Sequence, residues 1–242
     1  MKPFFIHLLL PGLFSFQLHS QTVEPSSTVG RSQIQTELAT SFSQLDVNGT
    51  TTQSWAPGTL FRYGVSNMVE LQLNFQAIQE KLVEVDKPVF SEVSFQNPEV
   101  GLAIHLWEEK GIIPEASIMT RIGIPYERPF SPSGLEGILA LNLSQAVYNN
   151  LVFNYNVGFL YIERFVESVF LVSNLSFEPV SKFHFFIENV VDKNRQGDLS
   201  GSLAAGGGYN FSESVILDLS AGNNLHDPGL FAGLILTWCY QL

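Results

Sequence analysis

Cysteine occurs once in this 242-residue chain, as Cys239, so no disulfide can form within the molecule. Charge is also scarce. Asp, Glu, Lys and Arg make up 14% of the residues, against roughly 25% in an average soluble domain. Acidic residues outnumber basic ones 23 to 12, and the resulting net charge of -11 argues against nucleic acid and anionic membrane surfaces as partners. Beyond the first twenty residues no apolar run approaches the ~18 residues that a helical membrane span needs. Histidine is sparse too: His105, His184 and His226 are the three that follow residue 20, which leaves little material for catalytic or metal chemistry.

Apolar and aromatic side chains are what the chain has in quantity, 45% hydrophobic with 20 Phe, and they come in alternation rather than in runs. Val69, Leu71, Leu73, Phe75 and Ala77 alternate with Glu70, Gln72, Asn74 and Gln76. A two-residue period puts the two sets on opposite faces of a β-strand. Just before them, Phe61 and Tyr63 flank Arg62, and Val65-Ser66-Asn67 makes a compact turn. The result is a hairpin with one apolar and one polar face.

Similar alternation predicts strands near 33–45, 55–63, 69–77, 100–107, 116–124, 139–144, 151–161, 167–177, 183–187, 199–209, 215–221 and 230–242. Residues 80–98 and 125–134 read as long surface loops. Tight connections at 65–67, 109–111, 146–150, 178–181 and 210–213 alternate with mostly longer ones; 46–49 and the link near Glu163 are the exceptions. High apolar content, low charge and repeated amphipathic hairpins without a helical span predict an all-β protein. Its expected form is a closed antiparallel up-and-down transmembrane β-barrel of about 12 strands (10–14).

Residues 1–20 carry one early positive charge, a mostly apolar stretch and a small residue at the end, the pattern of a secretory signal peptide. No cysteine follows it, which argues against a lipoprotein anchor. Residues 21–30 read as a mobile polar tail, and 31–242 as the barrel. At the other end Leu234, Leu236, Trp238, Tyr240 and Leu242 alternate to the last residue. Such a strand resembles the signal by which the barrel-assembly machinery recognises outer-membrane proteins, with Leu where Phe is more usual. Phe61, Tyr63, Tyr155, Tyr161, Tyr209, Trp238 and Tyr240 suit the interfacial girdles of a barrel in outer-membrane lipid.

The stretch from Glu37 to Asp46, followed by the hairpin from Phe61 to Leu71, resembles the opening of the MetA-pathway of phenol degradation family of bacterial outer-membrane proteins. The resemblance extends over most of residues 21–242, and the hairpin from Arg62 to Glu70 is its most specific part. It implies an outer-membrane barrel that passes small, aromatic or hydrophobic molecules. It carries no catalytic motif to this chain.

If lipid lies outside, the polar set lines a lumen. By parity Glu37, Arg62, Glu70, Glu99, His105, Glu115, Arg121, Lys182, His184, Glu188 and Asp218 point inward. Arg62 and Glu70 are equidistant from Ser66 and are expected to face each other, and Arg121 and Glu99 to share the lumen in the same way. The set reads as a charged constriction that selects permeants, or as charges that neutralise one another. Catalysis finds little support. His105 and His184 have no serine at useful spacing on their face, and His226-Asp227 reads as a solvated loop. No cluster has metal-ligand spacing, and no cofactor motif is present: Gly206-Gly207-Gly208 lacks the following lysine of a phosphate loop and suits bending or close packing instead. The expected function is a non-enzymatic channel or transporter for a small-molecule permeant. A structural or adhesive outer-membrane barrel, and a secreted soluble barrel holding an apolar ligand, stay open as alternatives. The apolar face discriminates the last: it must turn inward there and outward in lipid.

Overall fold

The computed structural model describes residues 23–47, 50–84, 87–125, 135–163, 165–226 and 229–242. Among them are thirteen strands: β1 (Gln33–Val47), β2 (Thr50–Ser66), β3 (Val69–Glu84), β4 (Lys87–Phe95), β5 (Glu99–Trp107), β6 (Glu115–Gly123), β7 (Glu136–Tyr148), β8 (Leu151–Ile162), β9 (Phe165–Val180), β10 (Phe183–Asn194), β11 (Leu199–Ser212), β12 (Val215–Asn224) and β13 (Gly229–Gln241). The expected leader (1–20), the turn residues 48–49, most of the 125–134 loop and Asp227 lie outside the described residues.

Every pairing between these strands is antiparallel, and β1 pairs with β13 from Gln33 opposite Gln241 to Leu45 opposite Gly229, which closes the sheet on itself. Twelve strands form the ring. β4 stands outside it, because β3 changes partner along its length. Val69 to Asn74 pair with β5, whereas Ala77 to Glu84 pair with β4. This corrects the expectation that 80–98 is a surface loop: much of it is the upper half of a hairpin that continues past the barrel wall. Its alternation is hard to see because Lys, Glu, Asp and Pro interrupt it, residues that protect an edge strand from pairing with another chain.

The start of β1 and the end of β13, with the turns after β2, β5, β7, β9 and β11, lie at one end of the barrel, here termed the turn end. The remaining connections lie at the loop end. Which face points inward is settled by exposure. Glu70 and Gln72 are 0% and 3% exposed, while Leu71 and Phe75 on the same strand are 46% and 44% exposed. A barrel that hides carboxylate and amide and presents Leu and Phe is solvated by hydrocarbon on its outside. The apolar set is therefore not a dry core, which removes the soluble ligand-holding alternative.

Some aromatics do point inward, and they do so by pairing with glycine. Phe170, Phe186 and Phe231 are buried, and each stands directly across the ladder from Gly158, Gly206 and Gly222 respectively. A Cβ on any of these glycines would collide with the Cζ of the facing ring. Each ring thus lies over bare backbone of the neighbouring strand, the close approach that glycine in a strand permits.

Candidate functional site

The lumen is not empty. Residues 23–30, anticipated as a mobile tail, run through it and are held by side chains from β2, β3, β6, β8 and β10. The Val23 amide donates to Glu188 Oε2 (3.2 Å), and the Glu24 amide donates to Asn156 Oδ1 (2.7 Å). Asn156 Nδ2 returns a bond to the Glu24 carbonyl (2.9 Å). Ser117 Oγ donates to the Pro25 carbonyl (3.3 Å), Ser26 Oγ to Glu115 Oε2 (2.8 Å), and the Val29 amide to Glu70 Oε2 (2.8 Å). An extended segment has no partners of its own for its backbone groups, so inside a barrel it depends on such side chains. Gly64 completes the fit: a Cβ there would collide with the Gly30 carbonyl oxygen.

Glu24 is the segment's anchor. Its carboxylate meets Arg62 Nη2 at 2.7 Å and also engages Arg121 Nη2. Arg62 is 4% exposed and sits among three carboxylates, with Glu37 at 3.0 Å and Glu70 at 3.4 Å completing the set. Arg121 also donates from Nε to Gln72 Oε1 (2.7 Å), and Gln72 donates to Glu70 Oε1 (2.7 Å). The arrangement is one charge-assisted network in which the plug supplies a counter-ion for two wall arginines.

Strand parity joins Arg62 to Glu70, and the structure brings them together, though diagonally. A bulge between Gly64 and Ser66 shifts the register, so Arg62 stands opposite Gln72 and Glu70 opposite Gly64. Glu99 shares the lumen with Arg121 but binds Asn74 (2.8 Å) rather than the arginine. Glu188 is buried against Asn174 and Val23, and His184 meets Asp218 at 2.6 Å. Lys182 departs from its expected place: it lies exposed in the turn between β9 and β10, where strand parity no longer applies. Ser117 is a second correction, because it stands directly across from His105 where no serine was expected. Its hydroxyl is engaged with Pro25 and Asn142. Glu24, Gln72, Asn142, Asn156 and Asn174 escape the sequence-based set; the last four had parity as a signal, whereas Glu24 had none.

Of the aromatics assigned to girdles, Phe61, Tyr63, Tyr161, Trp238 and Tyr240 are exposed on the outer face, and Tyr155 and Tyr209 are partly covered. Tyr63, Ile34 and Tyr240 form a row across β2, β1 and β13. Tyr209 contacts both Phe183 and Phe211 edge-on, at 5.0 and 4.8 Å between ring centroids.

Beside the plug, toward the loop end, a cavity of about 240 Å³ remains. Its lining is mixed: Glu24, Glu37, Arg62, Glu99, Arg121 and Glu136 contribute charge, and Met119, Leu160, Phe170, Val172 and Ile235 contribute apolar surface. Val23 of the plug packs against the apolar cluster of Ala103, Met119, Ala140, Phe170, Val172 and Val190. An outer groove lined by Leu38, Pro57, Phe75 and Phe95 shares Ala39, Gly58, Thr59, Gln76 and Gln96 with this cavity, so the wall between them is one residue thick. The chemistry on offer is recognition of a small molecule with an apolar body, beside a cluster in which carboxylates outnumber arginines.

A closed twelve-strand ring, apolar outside and polar inside, with a segment seated in its lumen, defines the chain as a transmembrane β-barrel. No family model matches the sequence, and no curated protein matches it. Solved structures share its fold. A COG4313 outer membrane channel from Pseudomonas putida F1 superposes with a TM-score of 0.71 at 10% identity, covering 90% of this chain and 100% of that one. The KdgM porin gives a TM-score of 0.55 at 10% identity, over 84% of this chain and 98% of its own. The NanC porin gives 0.54 at 7%, over 83% and 98% respectively.

Proposed function

We propose that this protein is an outer-membrane channel for small apolar or amphipathic molecules, closed at rest by its own N-terminal segment. The observation that carries the reading is the cavity beside the plug, whose lining combines apolar side chains with the arginine–carboxylate network. At about 240 Å³ it is smaller than most small-molecule sites. It suits a compact permeant, such as a single aromatic ring, in keeping with the resemblance to the MetA-pathway of phenol degradation family. The fold shared with structures named as a channel and as porins supports the same reading.

In this reading residues 1–20 are removed on export, the turn end faces the periplasm and the β2–β3–β4 extension faces outward. The exposed aromatics anchor the barrel at the lipid headgroups, and the C-terminal strand is recognised by the assembly machinery. A non-enzymatic role is in keeping with Ser117 being engaged with the plug and His226 lying exposed in a loop.

Single-channel conductance in planar bilayers tests the proposal, comparing wild type, a variant lacking residues 21–30, and an Arg62→Ala, Arg121→Ala double variant. The plug-deleted barrel is expected to give discrete steps several-fold larger than wild type. The double variant is expected to change the ion selectivity of whatever current flows. Folded, inserted protein that gives no steps even without residues 21–30 would overturn the channel reading in favour of a structural barrel.

A further inference from the structure

A second constellation sits near the turn end beside the plug, and the channel reading draws on it only through the contact of Glu115 with Ser26. His105 near the end of β5, Glu108 in the following turn and Glu115 at the start of β6 bring one ligand atom each to within 4.8 Å of one another. The β-sheet explains why. A bulge at 105–107 sets Trp107, rather than Leu106, opposite Ala116. The extra residue re-aims the chain beyond it, so that Glu108 turns back toward His105, three residues before it.

His105 is 7% exposed, and its Nε2 is buried with no hydrogen-bond partner among the described residues. It lies 3.1 Å from Glu115 Oε1 and 4.0 Å from Glu108 Oε1. The closer contact is short enough for a hydrogen bond but is not aligned as one, so a buried polar nitrogen is left unsatisfied beside two carboxylates. Such orphaned groups are rare and call for a reason. Donors ~2.0–2.1 Å from a tetrahedral ion lie roughly 3.3 Å apart, so these separations approach what one shared cation requires.

We propose that His105, Glu108 and Glu115 form a binding site for a divalent transition-metal ion at the turn end of the lumen. One imidazole and two carboxylates suit zinc and its neighbours in the first transition series. The nitrogen donor disfavours magnesium and calcium, which take oxygen ligands. Three protein ligands leave a coordination position open to water. The carboxylate of Glu115 is shared. While Oε1 faces the site, Oε2 accepts the hydroxyl of Ser26 on the plug. An ion held here is thus one carboxylate away from the segment that fills the lumen.

The test is Zn2+ titration of the refolded, tag-free barrel in detergent by isothermal calorimetry, with Mg2+ as the control, which requires no conducting pore. Wild type is expected to bind one Zn2+ per chain and to show no saturable Mg2+ binding. Glu108→Gln removes a ligand that is 86% exposed as a side chain, so folding is spared. It is expected to weaken Zn2+ binding by at least about tenfold, and His105→Ala to abolish it. The absence of stoichiometric Zn2+ binding in wild type would overturn the proposal. So would Zn2+ affinity unchanged in Glu108→Gln and in a folded His105→Ala.

Discussion

Arg62 shows how a single residue can be decisive inside this barrel. One guanidinium, 4% exposed, meets Glu24, Glu37 and Glu70, and Glu70 is itself fully buried. Removing the cation strands Glu70, which cannot reach water, and breaking a buried ion pair in this way costs about 3–5 kcal/mol. Arg62→Ala is therefore expected to lower stability by that order, measured as the urea midpoint of the refolded barrel in detergent. Arg62→Lys should recover only part of it, because a point charge cannot serve three carboxylates as a planar fork does. The same Arg62→Ala change made without residues 21–30 should cost less, since Glu24 has gone. Equal loss in both backgrounds would mean that Glu24 is no part of the network.

At the scale of strands, much of the fold was legible because side-chain parity is a local property. The alternation from Val69 to Ala77 specified which face each residue takes, and the alternating runs gave a count that matches the twelve-strand ring. What escaped were shifts of register and changes of partner. The bulge at Gly64–Ser66 moves Glu70 one step along the ladder, and β3 leaves one neighbour for another between Asn74 and Ala77. Both are decided by contacts across strands, which local alternation does not encode. The glycine run in β11 is an intermediate case. Its fit to close packing was anticipated, while its partner could only be seen in the ladder, where Phe186 lies over Gly206. Gly206→Val is expected to destabilise the barrel by about 1–3 kcal/mol through overpacking. Adding Phe186→Leu should return part of that loss in a double-mutant cycle on the same urea midpoints. Strict additivity of the two changes would show that ring and glycine do not depend on each other.

For the molecule as a whole, the lumen is completed by a segment that no sequence pattern marked as structured. Residues 23–30 have no periodicity, and their partners lie from 41 to 165 residues away for the Val29, Glu24 and Val23 amides. Those bonds join an extended chain to a preformed ring rather than forming part of the ring's own ladder. The ring's pairings, from β1–β13 to β2–β3, are complete without the segment. The plug is accordingly expected to act as a ligand that happens to be covalently attached. A synthetic peptide of residues 21–30 added to the barrel lacking them should then lower its conductance, with saturation at rising concentration. Glu24 fixes the peptide to Arg62 and Arg121 at once, so Glu24→Gln in the peptide should weaken this block by about tenfold or more, as charged hydrogen bonds of ~1.5–3 kcal/mol imply. High salt should weaken it little, because the pairs are shielded from solvent. A Glu24→Gln peptide that blocks as well as the native one would show that the backbone bonds to Asn156 and Glu70, not the shared carboxylate, hold the segment in place.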